Sequence, residues 1–405
     1  MAVEQIRSYL SKLNVSWDFK QLPPTAYLVG GSVRDALLQR YKIPFDLDFV
    51  LPDGTIETAK EIANKYRAGF VVLDREREIA RVVFPEGTLD FARQEGANLS
   101  IDLKRRDFTI NAIAFNPTSE QLIDPLGGVG DLKRKVLRMV SASNLEDDPL
   151  RLLRAYRQAA QLDFAIEEKT QRAISDRVNL LSSIAAERVQ AEFNYIFTAN
   201  RGNKWLVAAV ESQLLKFWLP SIDGDKIKQL DLVEEAIYFC KSLGLEMPEI
   251  SILSKLATLV STEATTAEAE LTQLKYSRSQ IKIVTKTVKY LPQLQTMTDT
   301  MSLREQYFWF LEVKEIFPVL MVRAIATGVK LELLKPLIER YLDPTDLVAH
   351  PQPLVTGNDL IKQLNLKPSA IIGRLLTEIQ IAQIESKVST SQEALEFAKS
   401  LVIEH

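Results

Sequence analysis

The residues of this chain whose types and spacing could do chemistry are Leu28-Val29-Gly30-Gly31-Ser32-Val33-Arg34-Asp35, followed shortly by Asp46-Leu47-Asp48. Side chains two apart on a strand point to the same face, about 6.5–7 Å along it, so Asp46 and Asp48 can share divalent cations. Two Mg2+ ions about 4 Å apart, held by such a pair, are what phosphoryl or nucleotidyl transfer needs. One lowers the pKa of an attacking hydroxyl, and the other holds a triphosphate and stabilises the leaving oxygen. A Gly30-Gly31 turn entering a helix lets backbone N–H groups approach phosphates, and Arg34 adds a charge-assisted contact. Each piece alone is weak, because Asp-x-Asp is common on exposed strands and Gly-Gly before a helix is more often a simple turn. Their order and spacing together carry the reading. A third carboxylate on a neighbouring strand completes such a set. Asp90, in Leu89-Asp90-Phe91, is the candidate, its alternative being a solvated strand residue.

A second constellation lies at Asp147-Asp148-Pro149-Leu150-Arg151-Leu152-Leu153-Arg154, with Arg157 three residues on. Arg151, Arg154 and Arg157 share one face of a helix. A carboxylate such as Asp148 can accept a hydrogen bond from the N4 amino group of cytosine, while Arg151 donates to base acceptors. That pair would read a nucleobase edge without any nucleic-acid template, with Arg154 and Arg157 facing a triphosphate or orienting the pair. The plainer alternative is an N-cap followed by proline and a solvated arginine face.

Composition narrows the chemistry further. The 405 residues carry 50 Lys+Arg, 53 Asp+Glu, two histidines and one cysteine, with 46% hydrophobic residues. At roughly 150 residues per domain, two or three domains are expected. A lone Cys240 excludes a disulfide framework and Cys-based zinc sites. With only His350 and His405, histidine-dependent triads and metal sites are improbable as the main chemistry. Carboxylates and arginines must do the work. A net charge of −3 excludes a globally basic nucleic-acid binder but permits local basic surfaces. With no apolar run approaching 18 residues and no signal-peptide pattern at the start, a cytoplasmic protein without membrane or protein partners is expected.

The elements that must position these residues fall into two regimes. Within 1–140, strands are expected at 27–29, 46–50, 70–73, 79–84 and 88–91, and helices at 32–39 and 55–67. Pro85-Glu86-Gly87 marks a turn between the last two strands. Antiparallel strands with helices on one face are the natural arrangement. After about residue 140 strand signals nearly vanish and helical patterns run to the end. The fold class is thus α+β: a head with a small mixed or antiparallel sheet, then an elongated all-α remainder.

Two further blocks complete a family pattern. They are Arg105-Arg106-Asp107-Phe108-Thr109-Ile110-Asn111-Ala112 and Asp124-Pro125-Leu126-Gly127-Gly128, with Glu187-Arg188-Val189 following the arginine helix. In this order, with the segments above, the chain resembles the class II tRNA nucleotidyltransferases, the family that also contains bacterial poly(A) polymerases. The resemblance covers about residues 25–200. It implies that Asp46 and Asp48 bind the metals, with Asp90 in the third-carboxylate position. It also implies a nucleotide-binding set of Gly30, Gly31, Arg34, Arg106, Asp107, Asn111, Asp148, Arg151, Arg154 and Arg157. Mg2+, CTP, ATP and the 3′ end and acceptor arm of tRNA are the implied cofactor and partners. The implied layout is a catalytic head at 1–140, a base-reading neck at 141–205, a body at 206–300 and a tRNA-binding tail at 301–405. The family pattern has Glu where this chain has Asp147, which keeps the charge and shortens the reach.

One departure bears on specificity. Family members that build the whole CCA end carry a flexible loop before the Arg-Arg-Asp motif, whereas here only residues 93–101 separate Ala92 from Asp102. A shortened loop is associated within the family with addition of the two cytidines alone, so CC addition is expected. Full CCA addition, A addition and poly(A) synthesis are the alternatives, and a non-catalytic RNA-binding protein is the remote one. In the helical body, Lys275, Arg278, Lys282, Lys286 and Lys289 are spaced 3, 4, 4 and 3, which predicts a basic stripe on one helix face that tracks an RNA backbone. Its alternative is an ordinary solvated helix face. Lys367 and Arg374 in the tail are further candidates for RNA contact.

Overall fold

The computed structural model describes residues 1–13 and 15–403, so His405 lies outside the described residues. The chain divides into two compact units, Met1–Phe217 and Trp218–His405. The boundary expected after residue 140 falls inside the first unit, and that expected after residue 300 inside the second.

The first unit begins with α1 (Ala2–Lys12), β1 (Tyr27–Val29), α2 (Gly31–Leu37), β2 (Phe45–Leu51) and α3 (Thr55–Tyr66). There follow β3 (Gly69–Asp74), β4 (Ile79–Phe84), β5 (Gly87–Arg93), α4 (Leu99–Lys104), β6 (Ala114–Phe115) and β7 (Leu122–Ile123). These seven strands form one sheet in the order β3-β4-β5-β2-β1-β6-β7. Every neighbouring pair is antiparallel except β2 and β5, which run parallel in register from Phe45 opposite Gly87 to Leu51 opposite Arg93. The sheet is therefore mixed. The wholly antiparallel arrangement fails at the pair that carries the carboxylates, because α3, β3 and β4 intervene and return the chain to the starting edge of β2.

Alternation on β2 explains how the site is presented. Phe45, Leu47, Phe49 and Leu51 are buried, while Asp46 and Asp48 point to the other face. Phe49 stands opposite Phe91 in the parallel pairing and the two rings stack at 5.4 Å. Such aromatic pairs contribute roughly 0.5–1.5 kcal/mol beyond their burial. A slip of one residue would turn Asp46 and Asp48 into the core, so the buried phenylalanines fix the register of the carboxylates.

The rest of the first unit comprises α5 (Gly128–Arg134), β8 (Val136–Leu137), α6 (Ala142–Asp147), α7 (Leu150–Leu162), β9 (Ala165–Ile166), α8 (Glu168–Ser175), α9 (Ala186–Thr198) and α10 (Gly202–Glu211). Helix α7 buries Leu152, Leu153 and Tyr156 against α9 and α10, and keeps Arg151, Arg154 and Arg157 half-buried on its other side. The Tyr156 hydroxyl lies 2.7 Å from Ser212 Oγ, which anchors this packing.

The second unit contains no strand among the described residues. It is built from α11 (Gly224–Ser242), α12 (Ile250–Leu259), α13 (Ala264–Gln273), α14 (Arg278–Gln295), α15 (Leu303–Val313), α16 (Phe317–Ala326) and α17 (Leu331–Leu342). Helices α11, α12, α14 and α16 pack together around Leu230, Leu253, Leu256 and Leu320. The last three helices, α18 (Gly357–Leu364), α19 (Ala370–Ile384) and α20 (Ser391–Ile403), close around Leu360, Ile379 and Ala394. No helix of the described residues is long and apolar enough to cross a membrane.

Candidate active site

The carboxylates occupy one face of the sheet. Asp46 and Asp48 stand two residues apart on β2, and Asp90 on β5 is directly opposite Asp48. Asp46 is exposed and accepts a hydrogen bond from Thr88 Oγ1 at 2.7 Å. Asp48 is half-buried beneath the turn into α2, where its backbone N–H donates to Ser32 Oγ at 3.0 Å. Burial, then the charges of Asp46 and Asp90, push the Asp48 carboxyl up to about 7, against the opposing pull of Arg106 and Ser32. Arg106 alone does not offset the burial of this carboxylate and the two acids beside it. Asp46 and Asp48 are hard oxygen donors, as a divalent cation of the Mg2+ class requires, and they fit such an ion. Asp90 is engaged elsewhere, by Arg81.

Gly30 is the residue that lets Arg106 and Asp48 crowd this face. Its φ of +70° is one that L side chains rarely adopt. A Cβ there would also meet Arg106 Nη1 at 3.0 Å and Asp48 Oδ2 at 3.8 Å. Arg106 pairs with Asp102 at 3.1 Å, while its buried Nε has no hydrogen-bond partner among the described residues. A guanidinium whose donors are not all satisfied within the protein is suited to an anionic ligand.

The expected nucleotide-binding residues converge. All ten of them, with Asp46, Asp48 and Asp90, line one cavity of about 640 Å³. A buried network stiffens its floor. Arg154 donates twice to Asp107 Oδ2, from Nε at 2.9 Å and Nη2 at 2.7 Å. Burial would raise the Asp107 carboxyl, but Arg154 and the Asn111 side chain hold it down at about 2. Gln158 ties the network together: its Oε1 accepts from Asn111 Nδ2 at 2.9 Å and from Arg34 Nη1 at 3.2 Å. Arg34 also holds Asp35, and Arg157 pairs with Glu192 at 2.5 Å. These arginines are thus already partnered inside the protein.

Arg151 differs. Its Nη1 donates at 2.7 Å to the backbone carbonyl of Asn144, and among the described residues no carboxylate pairs with it. Asn144 in turn donates to the carbonyls of Lys104 and Arg106, each at 2.8 Å, which joins α6 to the Arg105-Arg106 segment. Asp148 accepts from Arg188 Nη2 at 2.9 Å and weakly from the Leu150 N–H at 3.3 Å. Asp148 therefore combines a cap-like contact with a place on the cavity wall. Asp147 lines an adjoining cavity with Arg105, Arg188, Asp148 and Arg151.

Comparison with known proteins bears on this arrangement. Family models described as "Poly A polymerase head domain" and "Probable RNA and SrmB- binding site of polymerase A" match residues 26–138 and 163–225. A model described as tRNA nucleotidyltransferase domain 2 matches residues 248–398. The CC-adding tRNA nucleotidyltransferase of Synechocystis sp. is 47% identical over 97% of this chain and 98% of its own. The chain belongs to the tRNA nucleotidyltransferase family. The A-adding tRNA nucleotidyltransferase of Deinococcus radiodurans is 31% identical over 93% of this chain and 95% of its own. A solved structure of the Thermotoga maritima CCA-adding enzyme complexed with tRNA covers 98% of both chains with a TM-score of 0.75, and at 23% identity that likeness shows the fold. Nucleotidyltransferases of this family use divalent metals.

Within that family frame the short connection after β5 becomes informative. Only residues 94–98 lie between β5 and α4, and they are pinned. The Gln94 N–H donates to Leu51 O at 2.7 Å, the Glu95 N–H donates to Asp102 Oδ1 at 3.0 Å, and Glu95 pairs with Arg105. Asn98 then caps α4 through the Ile101 N–H.

The expected basic stripe is altered by its surroundings. Helix α14 starts at Arg278 behind a Ser277/Gln280 capping box, so Lys275 lies outside it with a φ of +60° and is not on the helix face. Lys282 pairs with Glu315 at 2.5 Å, and Lys286 reaches Glu312. Both acids come from the neighbouring helix α15 and the turn after it, which spacing along one helix does not show. Arg278 and Lys289 remain exposed, the latter over the Tyr290 ring. Sequence reading missed Tyr9, Lys42 and Gln158 on the cavity wall. Only Gln158 left a signal, four residues after Arg154 on the same helix. His350 and Cys240 are structural: the imidazole Nε2 lies 2.8 Å from Tyr341 O, and burial pushes the thiol up to about 12.

Proposed function

We propose that this enzyme adds two C residues to the 3′ end of tRNA from CTP, without a template, at Mg2+ held by Asp46 and Asp48. The observation that carries the proposal is a preformed base reader, Asp148 with Arg151, on the same cavity as Asp46 and Asp48 and behind a pinned connection at 94–98. Its likeness to a CC-adding relative across nearly the whole chain supports the same reading.

In the reaction the 3′-hydroxyl oxygen of tRNA attacks the α-phosphorus of CTP, the bond to the bridging oxygen breaks, and pyrophosphate leaves. Bound divalent metal supplies acidity to the hydroxyl and charge neutralisation to the triphosphate. The protein's own part is positioning. Asp148 accepts from the cytosine amino group, and Arg151, unpaired with any carboxylate of the described residues, donates to the ring acceptors. Arg106 offers its guanidinium from the cavity wall and the Gly30-Gly31 backbone gives the triphosphate close approach. Arg154, Arg34 and Gln158 hold the cavity floor through Asp107 and Asn111, so little reorganisation is required when nucleotide arrives. With residues 94–98 tied to Leu51 and Asp102, no long loop is present there to reshape the pocket from C to A.

The proposed division of labour keeps catalysis at 1–140, base reading at 141–205, and tRNA holding in a body at 206–300 and tail at 301–405, in the cytoplasm where CTP and tRNA meet. Arg278 and Lys289 are the body's proposed backbone contacts. Incubation of the full chain with tRNA lacking its 3′ CCA, CTP and ATP, followed by product sequencing, tests the proposal. The expected product ends in CC; efficient addition of the terminal A would overturn CC specificity.

A further inference from the structure

Arg81 on β4 stands opposite Asp90 in the antiparallel β4–β5 pairing, just as Asp90 stands opposite Asp48 in the parallel β5–β2 pairing. Arg81, Asp90 and Asp48 therefore form a row across three strands on the active-site face, at about 4.8 Å per strand. Both oxygens of Asp90 are engaged: Nε of Arg81 donates to Oδ1 and Nη2 to Oδ2, each at 2.7 Å. This planar two-point fit is particular to arginine. Asp90 is only 19% exposed in the pair, so the contact is more than a loose surface bridge. Among the described residues no group of three His, Cys, Asp or Glu side chains is placed to hold a metal ion, although three aspartates share this face.

We infer that Arg81 is a positioning residue that keeps Asp90 out of the cation's donor set. The affinity for divalent cation is then set by Asp46 and Asp48, and Asp90 contributes as half of a neutral pair rather than as a third ligand. Removing the guanidinium frees two anionic oxygens beside Asp48 and tightens cation binding. Removing both partners together deletes no net charge and no ligand, and leaves the affinity where it was. The inference rests on the nucleotidyl-transfer reading of the site, but it concerns cation binding alone. A failure of catalysis and a failure of this inference are therefore separable.

The test is calorimetric titration of Mn2+ into the full chain without nucleotide or tRNA, for wild type, Arg81→Met, Arg81→Lys and the double variant Arg81→Met/Asp90→Asn. Arg81→Met should bind about tenfold more tightly, the size expected for one charge step beside a divalent ion near a surface. Arg81→Lys should fall between Arg81→Met and wild type, because an ammonium keeps the charge but not the two-point fit. The double variant should stay within about threefold of wild type, a margin small beside the tenfold change. Circular dichroism melts establish that each variant is folded, and Arg81→Lys carries the test if Arg81→Met is not. A double variant weakened tenfold or more would show that Asp90 ligates the ion despite Arg81. An unchanged affinity in Arg81→Met and Arg81→Lys would equally overturn the inference.

Discussion

Asp48 should make the metal-free enzyme less stable as pH rises, and Asp48→Asn should remove that dependence while abolishing nucleotide addition. Burial and the neighbouring charges of Asp46 and Asp90 move its carboxyl from 3.8 to about 7. At 1.36 kcal/mol per pH unit, that displacement corresponds to roughly 4 kcal/mol. The folded value lies above the unfolded one. The protonated carboxyl therefore contributes its full stability below about pH 4, and that contribution is lost as pH rises through about 7. Roughly 2–3 kcal/mol of the loss falls between pH 5 and pH 8. For a unit of this size, 2–4 °C per kcal/mol makes this a relative gain for Asp48→Asn of roughly 5–10 °C over that interval. Thermal melts of both proteins in EDTA across pH 5–8 measure it. Adding Mg2+ at pH 8 should then restore wild type, since a ligand at about 100 times its Kd stabilises by roughly 2.7 kcal/mol, and should leave Asp48→Asn nearly unmoved. Parallel melting profiles for the two proteins in EDTA, or equal stabilisation of both by Mg2+, would refute the reasoning.

Three other outcomes are expected. Arg154→Met leaves Asp107 buried without its cation and should cost about 3–5 kcal/mol in chemical denaturation, the range for breaking one side of a buried pair; a loss below 1 kcal/mol would contradict the network at the cavity floor. Arg151→Ala removes a base-reading donor and should lower kcat/KM for CTP by one to two orders of magnitude, from about 1–3 kcal/mol of weakened discrimination, with relatively less effect on UTP; steady-state kinetics with both nucleotides show whether the loss is base-specific. For tRNA binding, Arg278→Glu/Lys289→Glu should make the log–log salt slope shallower by about 0.9 for each phosphate no longer neutralised, whereas Lys282→Ala should change it little because Glu315 already holds that lysine. An unchanged slope in the first variant removes α14 from the RNA interface.

What the sequence reveals and what it conceals separate along a physical line. Strands 27–29 and 79–84 have the limits read from the sequence, because Gly30-Gly31 and Pro85-Glu86-Gly87 end them, and Asp46 to Phe49 show the expected alternation. The pairing of Asp90 beside Asp48 follows from the same alternation once the Phe49–Phe91 stack sets the register. Contacts between distant segments leave no such trace. Arg34 meets Gln158 across 124 positions, and Lys286 meets Glu312 from another helix. Helical spacing correctly groups Arg278, Lys282, Lys286 and Lys289, but it is silent about the acids packed opposite. The start of α14 illustrates a finer point. The Ser277/Gln280 pattern is a legible capping box, and giving it precedence over basic spacing would have left Lys275 outside the helix.

The arrangement of arginines also constrains how a protein can read a base without a template. An arginine that must both shape a pocket and contact a nucleobase has to exchange partners during each cycle, and every exchange costs reorganisation. In the proposed assignment the two tasks fall to different residues. Arg154, Arg34 and Arg157 are bound to Asp107, Asp35 and Glu192, so the shape of the cavity persists when nucleotide leaves. Among the described residues Arg151 holds a backbone carbonyl alone, which leaves further guanidinium donors open to a ligand. Asp148 keeps one oxygen on Arg188, which fixes its orientation, and among the described residues its other oxygen makes only the long contact to Leu150. A reader built this way is stiff and suits one base well. Accepting a second base of different donor pattern requires moving Asp148 and Arg151 together, and the connection at 94–98, whose Glu95 lines a cavity with both, is tied to Leu51, Asp102 and Arg105. Stiffness in the reader and a pinned connection beside it are therefore two parts of one argument for selection of C.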